Sequence, residues 1–189
     1  MATGAKVCLR PEADIIKERR YCFLYRGNLV KKLFSLSWGK PKHEGAPVER
    51  AEPLDDASVA RINSYAETVL ATLQRGTPEA SYDGGSVERL AKDLTANSAR
   101  YSADQRVQVA NMYGAFLGRS IIATYPEFAG TWVRWKGDIG IELANGGVGL
   151  RKILFPINKA FKHIENGQAD SIFGLFAAVP EFVKSSPAT

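Results

Sequence analysis

The chain has 189 residues, of which 45% are hydrophobic and 24% charged, the composition of one globular domain with extensions. Its net charge of +5 lies in residues 1–50, which hold eleven Lys or Arg and five Asp or Glu, whereas residues 51–189 hold fourteen and fifteen. The nearly neutral body argues against a nucleic-acid-binding domain, because such a domain carries its basic surface in the fold.

Three absences in the sequence bear on location and on metals. No apolar run reaches the length of a transmembrane helix, and residues 1–20 lack the apolar core of a signal peptide. Cys8 and Cys22 are too few for a disulfide framework, and their spacing with His43 does not match a zinc site. We therefore expect a cytoplasmic protein with reduced thiols and with no metal or other cofactor.

Residues 1–38 are predicted to form a basic N-terminal extension. Within residues 29–42, lysines alternate with apolar side chains, and two interpretations remain open: the segment rests on the anionic inner face of the membrane, or it is a disordered or self-packed tail. Residues 1–28 have no periodic core pattern, and we expect an upstream extension, with translation able to begin near Leu29 or Val30. The candidate membrane-contacting residues are Lys31, Lys32, Leu33, Phe34, Leu36 and Trp38.

A linker, one domain and a tail follow this extension. Residues 39–54 are rich in Pro, Gly and charge, which is typical of a linker, residues 55–183 carry the periodic patterns of a single domain, and residues 184–189 form a tail. Apolar residues at helical spacing predict a first helix that Gly76 ends in a left-handed conformation. A shorter second helix has Ser86 as its expected N-cap.

The third predicted helix carries two glycines one turn apart. It begins at Ser102, which has capping-box spacing with Gln105, and it presents a wide apolar face. Gly114 and Gly118 fit either a helix–helix contact between two copies or the close approach of another element of the same chain. Each glycine costs a helix up to about 1 kcal/mol relative to alanine, so close packing is the expected compensation.

Beyond Pro126 the apolar period changes from that of a helix to that of a strand. Residues 131–137 and 138–146 alternate, and the turn around Gly137 makes them a hairpin. Residues 147–155 continue into a third strand. The order of three helices, a three-stranded meander and short helices predicts an α+β fold, with helices on one face of a small antiparallel sheet.

The predicted C-terminal part begins where Phe155 ends a core strand. Pro156 opens a helix in its first turn, where the missing N–H is harmless, and Gly167 ends that helix. Asp170 is expected to cap a last short helix that stops before Pro180.

Lys159, Lys162 and His163 lie together on the helix that Pro156 opens. One interpretation is an anion-binding surface or a small enzyme, in which His163 acts as a general base beside a carboxylate. The other is a solvated helix face, the more usual role of a lone histidine, and it is the one we favour. The candidate carboxylates are Glu142, Glu165 and Asp170.

Trp132 and Trp135 point to opposite faces of one predicted strand. One of them is expected in the core and the other on an exposed face near Arg134 or Lys136, where an aromatic ring beside a cation marks a contact surface. The alternative is a sheet that helices and termini cover completely.

The order of these motifs resembles a family of small uncharacterised bacterial domains over residues 55–180. The family combines a glycine-containing helix, a tryptophan-bearing strand, a Phe-Pro step, a basic helix and a Glu-x-Gly corner. The resemblance implies an α+β domain of unknown function, and related-looking domains occur among bacterial immunity-type and housekeeping proteins. The matching positions are Gly114, Gly118, Trp132, Phe155, Pro156, Lys159, Lys162, Glu165, Gly167 and Asp170.

These patterns favour a non-catalytic protein-binding module of regulatory or immunity type. The prediction rests on the absence of a catalytic motif from a well-patterned domain. Peripheral attachment to the inner membrane through residues 29–42 and a small enzyme that uses His163 are the alternatives. The predicted binding residues are Trp132, Arg134, Trp135, Lys159, Lys162 and His163.

Overall fold

The computed structural model describes residues 50–144 and 151–184, and within them it confirms the α+β class. The predicted basic extension lies outside the described residues, together with its candidate membrane contacts at residues 31–38. None of the described helices is both long and apolar enough to cross a membrane. The described elements are β1 (Glu52–Pro53), α1 (Asp56–Gly76), α2 (Gly84–Asn97), α3 (Ala103–Thr124), β2 (Thr131–Trp135), β3 (Asp138–Ala144), β4 (Arg151–Leu154), α4 (Pro156–Asn166) and α5 (Ile172–Lys184).

The described sheet has four antiparallel strands in the order β1-β2-β3-β4, whereas the sequence predicted three. The additional strand is β1, which pairs Glu52 with Arg134. It lies within the predicted linker, and Leu54, the residue directly after it, is buried. Two residues are too short to show the alternation by which strands are recognised, so only the pairing with β2 reveals this strand.

The β2–β3 hairpin is confirmed. Its turn consists of Lys136 and Gly137, with φ angles of 51° and 90°. Two consecutive residues with positive φ match the right-handed twist of the strands they join. The hairpin brings Trp132 opposite Ile141, and Leu154 of β4 continues this row across the sheet.

Helix α3 packs on this row of side chains and on α4. A Cβ atom at Gly118 would overlap the Trp132 ring, and one at Gly114 would overlap the backbone of Ile157 in α4. Both glycines are buried, as are the neighbouring Phe116 and Leu117. Close approach within one chain therefore accounts for the glycine pair, which needs no second copy.

Two predicted helix ends are wrong. Helix α2 is capped by Asp83, whose Oδ1 accepts the Ser86 N–H at 2.7 Å, and Ser86 itself is buried within the helix. Helix α1 ends without a left-handed glycine, because the Thr77 N–H donates to the Leu73 carbonyl and Gly76 is still helical. The predicted Ser102–Gln105 capping box at the start of α3 is confirmed.

The last helix also differs from the prediction, because α5 begins after Asp170 and continues through Pro180 to Lys184. At its start the Ser171 hydroxyl accepts the Gly174 N–H at 3.4 Å. Pro180 leaves the Phe176 carbonyl, four residues earlier, without its helical donor, and the Tyr125 hydroxyl donates to that carbonyl at 3.3 Å. Phe155, expected in the core, is only half-buried.

His163 is a buried contact that holds α4 to α2 and to the start of α5. Its Nδ1 accepts the Ile172 backbone N–H at 3.2 Å, so its proton lies on Nε2, 2.9 Å from the Thr95 hydroxyl of α2. That hydroxyl donates to the Ala91 carbonyl at 2.9 Å. The imidazole has no exposed surface, so the predicted solvated position is wrong. It is also closed to any substrate, which removes the support for a general base at His163.

Gly114→Ala is expected to destabilise the protein by about 1–3 kcal/mol, because its methyl group would press on the backbone of α4. Gly76→Ala is the matched control, since no atom lies within 4 Å of the position its Cβ would occupy. Chemical denaturation would compare the two variants with the wild type. Equal stability of Gly114→Ala and Gly76→Ala would contradict the packing of α3 described above.

The stability of the protein is expected to fall as the pH drops below about 6.5. Burial, and then the positive charge of Lys159, lower the pKa of His163 below its ordinary value of 6.5. Between the lowered pKa and 6.5, the unfolded chain therefore binds a proton at His163 and the folded chain does not. The free energy of unfolding should decrease by at most about 1.4 kcal/mol per pH unit, until the pH reaches the pKa of the folded state.

Denaturant melts between about pH 7.5 and pH 5 test this expectation. The carboxylates whose pKa values are lowered change the stability near and below their ordinary pKa of 3.8, and this lies below the pH range of the melts. His163→Asn should flatten the pH dependence, and His43→Gln, at the other histidine of the chain, should retain it. A His163→Asn variant with the wild-type pH dependence would contradict the assignment.

Candidate functional site

The structure places the predicted binding residues of β2 on two faces of the sheet. Trp132 is buried against α3, and Arg134, two residues along β2, is exposed on the same side of the sheet. Trp135 lies on the opposite face and is half-buried, with the Lys136 ammonium 5.6 Å from its ring centre. One tryptophan therefore enters the core and the other lies near a cation, as expected, but Trp135 is half-buried where an exposed face was predicted.

The basic residues of α4 do not form an anion-binding cluster either. The Lys159 ammonium lies 2.8 Å from the Asp170 carboxylate, which also accepts a hydrogen bond from Asn166 at 2.7 Å. These two hydrogen bonds, that of Lys159 first, lower the pKa of Asp170. Lys162 is exposed, and His163 is buried and neutral. The charge of Lys159 is thus already compensated within the fold.

A groove that is partly open to solvent lies between α1, α2 and α3. It encloses about 460 Å³ and opens to solvent along one side. This volume falls within the range of ligand-binding clefts. We call it the helical groove, and its lining includes Val69 and Leu73 of α1, Asp93 of α2, and Gln108, Val109 and Met112 of α3.

The walls of the helical groove are mainly apolar, and they contain one carboxylate, Asp93, that two side-chain hydrogen bonds hold. The Tyr113 hydroxyl donates to Asp93 Oδ2 at 2.7 Å, and the Asn97 amide donates to Asp93 Oδ1 at 2.8 Å. Tyr101 lines the same groove. Asp93 itself is half-buried, so the carboxylate is held by neutral donors at the boundary between the protein and solvent.

Both tyrosines at this carboxylate remain protonated at physiological pH. Burial, and then the hydrogen bond to Asp93, raise the pKa of Tyr113 far above its ordinary value. Burial, and then the negative charge of Asp93, also raise the pKa of Tyr101. The Tyr113 hydroxyl therefore acts as a hydrogen-bond donor to the carboxylate.

Sequence reasoning missed this site because its parts lie far apart along the chain. Asp93 falls on the polar side of the α2 pattern and Tyr113 on the apolar face of α3, twenty positions later. The one local signal was a tyrosine within the apolar face of α3, since a buried tyrosine hydroxyl needs a partner. The pattern alone did not identify that partner.

Comparisons with known proteins assign no function to this groove: no family model matches the chain, and no curated protein or solved structure shows significant similarity to it.

Proposed function

We propose that this protein is a non-catalytic protein-binding module and that the helical groove receives a segment of its partner. The observation that carries the proposal is an open groove with mainly apolar walls that contain one hydrogen-bonded carboxylate, Asp93. Apolar walls supply affinity through burial, and a few placed polar groups fix the orientation of what is bound.

The form of the groove favours a segment of a protein over a small metabolite. A pocket for a small molecule usually encloses most of the ligand surface, whereas this groove stays open along one side. Its α3 wall runs from Gln105 to Tyr113, a distance of roughly 12 Å at the rise of an α-helix. An amphipathic helix can place its apolar face in such a groove and leave its polar face in solvent.

Within the described residues, the position of the one histidine supports binding rather than catalysis. His163, the only histidine in the described residues, is buried and fully hydrogen-bonded within the fold. In the groove itself the carboxylate accepts hydrogen bonds from Asn97 and Tyr113. These contacts hold the Asp93 carboxylate in one position, and a side chain that orients a bound partner needs such support.

Site-specific photo-crosslinking in the native host tests the proposal. A benzoylphenylalanine at position 108, inside the groove, should give an adduct with a partner protein after irradiation. The same residue at position 107 is the matched control, because Val107 is exposed on the same helix and does not line the groove. Mass spectrometry would identify the adduct, and the partner would then be purified.

Calorimetry with that purified partner decides the outcome. Gln108→Trp, which fills the groove from an exposed position, should weaken binding by about tenfold or more, as loss of a buried contact surface does. Val107→Trp should leave the affinity unchanged. Equal adducts at both positions, or a partner that binds Gln108→Trp as tightly as the wild type, would refute the groove as the binding surface.

A further inference from the structure

The charged end of the helical groove gives its ligand a chemical class. The Asp93 carboxylate has two short hydrogen bonds, and both donors, Asn97 and Tyr113, are neutral. Among the described residues, no ion pair within 4.0 Å involves Asp93. Neutral donors stabilise a carboxylate without cancelling its charge, so this end of the groove remains negative.

The basic residues of α2 do not form an ion pair with this carboxylate. Lys92, next to Asp93 in sequence, has its ammonium 2.9 Å from the Glu88 carboxylate. Arg89 precedes Asp93 by one helical turn and also lines the groove. Its guanidinium lies 3.9 Å from the Glu79 carboxylate, and the side chain is exposed to solvent at the rim. An exposed and screened cation contributes little to the field at a half-buried carboxylate.

From this geometry we propose that the helical groove is anchored by an aliphatic ammonium group, supplied by a lysine of the partner segment and bound to Asp93. The inference rests on the proposed function, and it adds the residue by which the partner is recognised. The lysine stem would lie along Leu73, Val109 and Met112, since long basic side chains bury their methylene groups against apolar walls. The tyrosine rings that line the groove add favourable surfaces for a cation.

The hydrogen bonds already present on Asp93 favour lysine over arginine. A guanidinium pairs best with a carboxylate when it contacts both oxygens at once. Here Asn97 occupies one lone pair of Oδ1 and Tyr113 one of Oδ2. A carboxylate offers about four acceptor sites, so one remains free on each oxygen. A guanidinium must use both of them in one plane, whereas a compact ammonium needs only one.

Titration of the isotope-labelled full chain with four probes tests the inference by nuclear magnetic resonance. The probes are capped lysine, capped arginine, capped norleucine (the neutral analogue of the lysine stem) and n-pentylamine. We expect saturable shifts at the Met112 methyl group and the Asp93 amide with capped lysine. Capped norleucine should bind about tenfold more weakly, the ratio that one charge-assisted hydrogen bond supplies, and capped arginine more weakly than lysine.

Charge variants provide a second measurement. Asp93→Asn should reduce the affinity for capped lysine to that for capped norleucine. Glu165→Gln, which removes an exposed carboxylate of α4 outside the groove, should leave it unchanged. The comparison of capped lysine with capped norleucine on the wild-type chain needs no variant, so it stands even if Asp93→Asn does not fold.

The failure of this inference can be told apart from the failure of the proposed function. Equal shifts with lysine and norleucine, or stronger ones with arginine, would overturn the ammonium anchor while a groove-specific adduct at position 108 still supports protein binding. Stronger binding of n-pentylamine than of capped lysine would overturn a protein source for the ammonium. If no probe shifts the groove resonances, the lysine anchor is refuted; if the adduct at position 108 is missing as well, both proposals fall.

Discussion

The close approach of α3 to α4 and to the sheet is the constraint on which the rest of the described structure depends. Gly114 and Gly118 remove the two side chains that would hold these elements apart, and Trp132 and the Ile157 backbone occupy the space. The C-terminal half of α3 is thereby buried by the sheet and α4. The N-terminal half extends beyond this contact, and there it forms a wall of the helical groove with α1 and α2.

Hydrogen bonds between a few mostly neutral groups also join distant segments. His163 joins α4 to Thr95 of α2 and to the first residue of α5. The Gln168 amide donates to the same Thr95 hydroxyl at 3.1 Å, which completes its set of partners. Buried polar groups of this kind are stable only when each has a partner, because an unmatched group costs its full desolvation energy.

Asp93 differs from these groups, because it is a carboxylate at the surface of the groove and its two side-chain hydrogen-bond donors are neutral. Removing part of a carboxylate from water is unfavourable, and the hydrogen bonds from Asn97 and Tyr113 offset that cost. They do so with neutral groups, whereas the Lys159–Asp170 pair, on α4 and the turn after it, compensates one charge with another. A bound cation would form an ion pair with Asp93, whereas Lys159 already supplies that interaction at Asp170.

The sequence by itself determined the elements whose causes are local. The alternation on both sides of Gly137 determined the hairpin, the Ser102–Gln105 spacing determined the start of α3, and the position of Pro156 determined the start of α4. Each depends on backbone preferences or side-chain periods within a few residues. For the same reason, the α+β class could be predicted.

Only the tertiary structure decided the features that depend on partners far away in the chain. Strand β1 exists because β2 pairs with it, and α5 passes through Pro180 while Tyr125 supplies a hydrogen bond to the carbonyl that the proline leaves without a helical donor. His163 is buried because Thr95 and the Ile172 N–H satisfy both ring nitrogens, a condition that helical periodicity does not reveal. The groove carboxylate has the same origin, since twenty residues separate Asp93 from Tyr113 and only the packing of α2 beside α3 brings the two side chains within 2.7 Å.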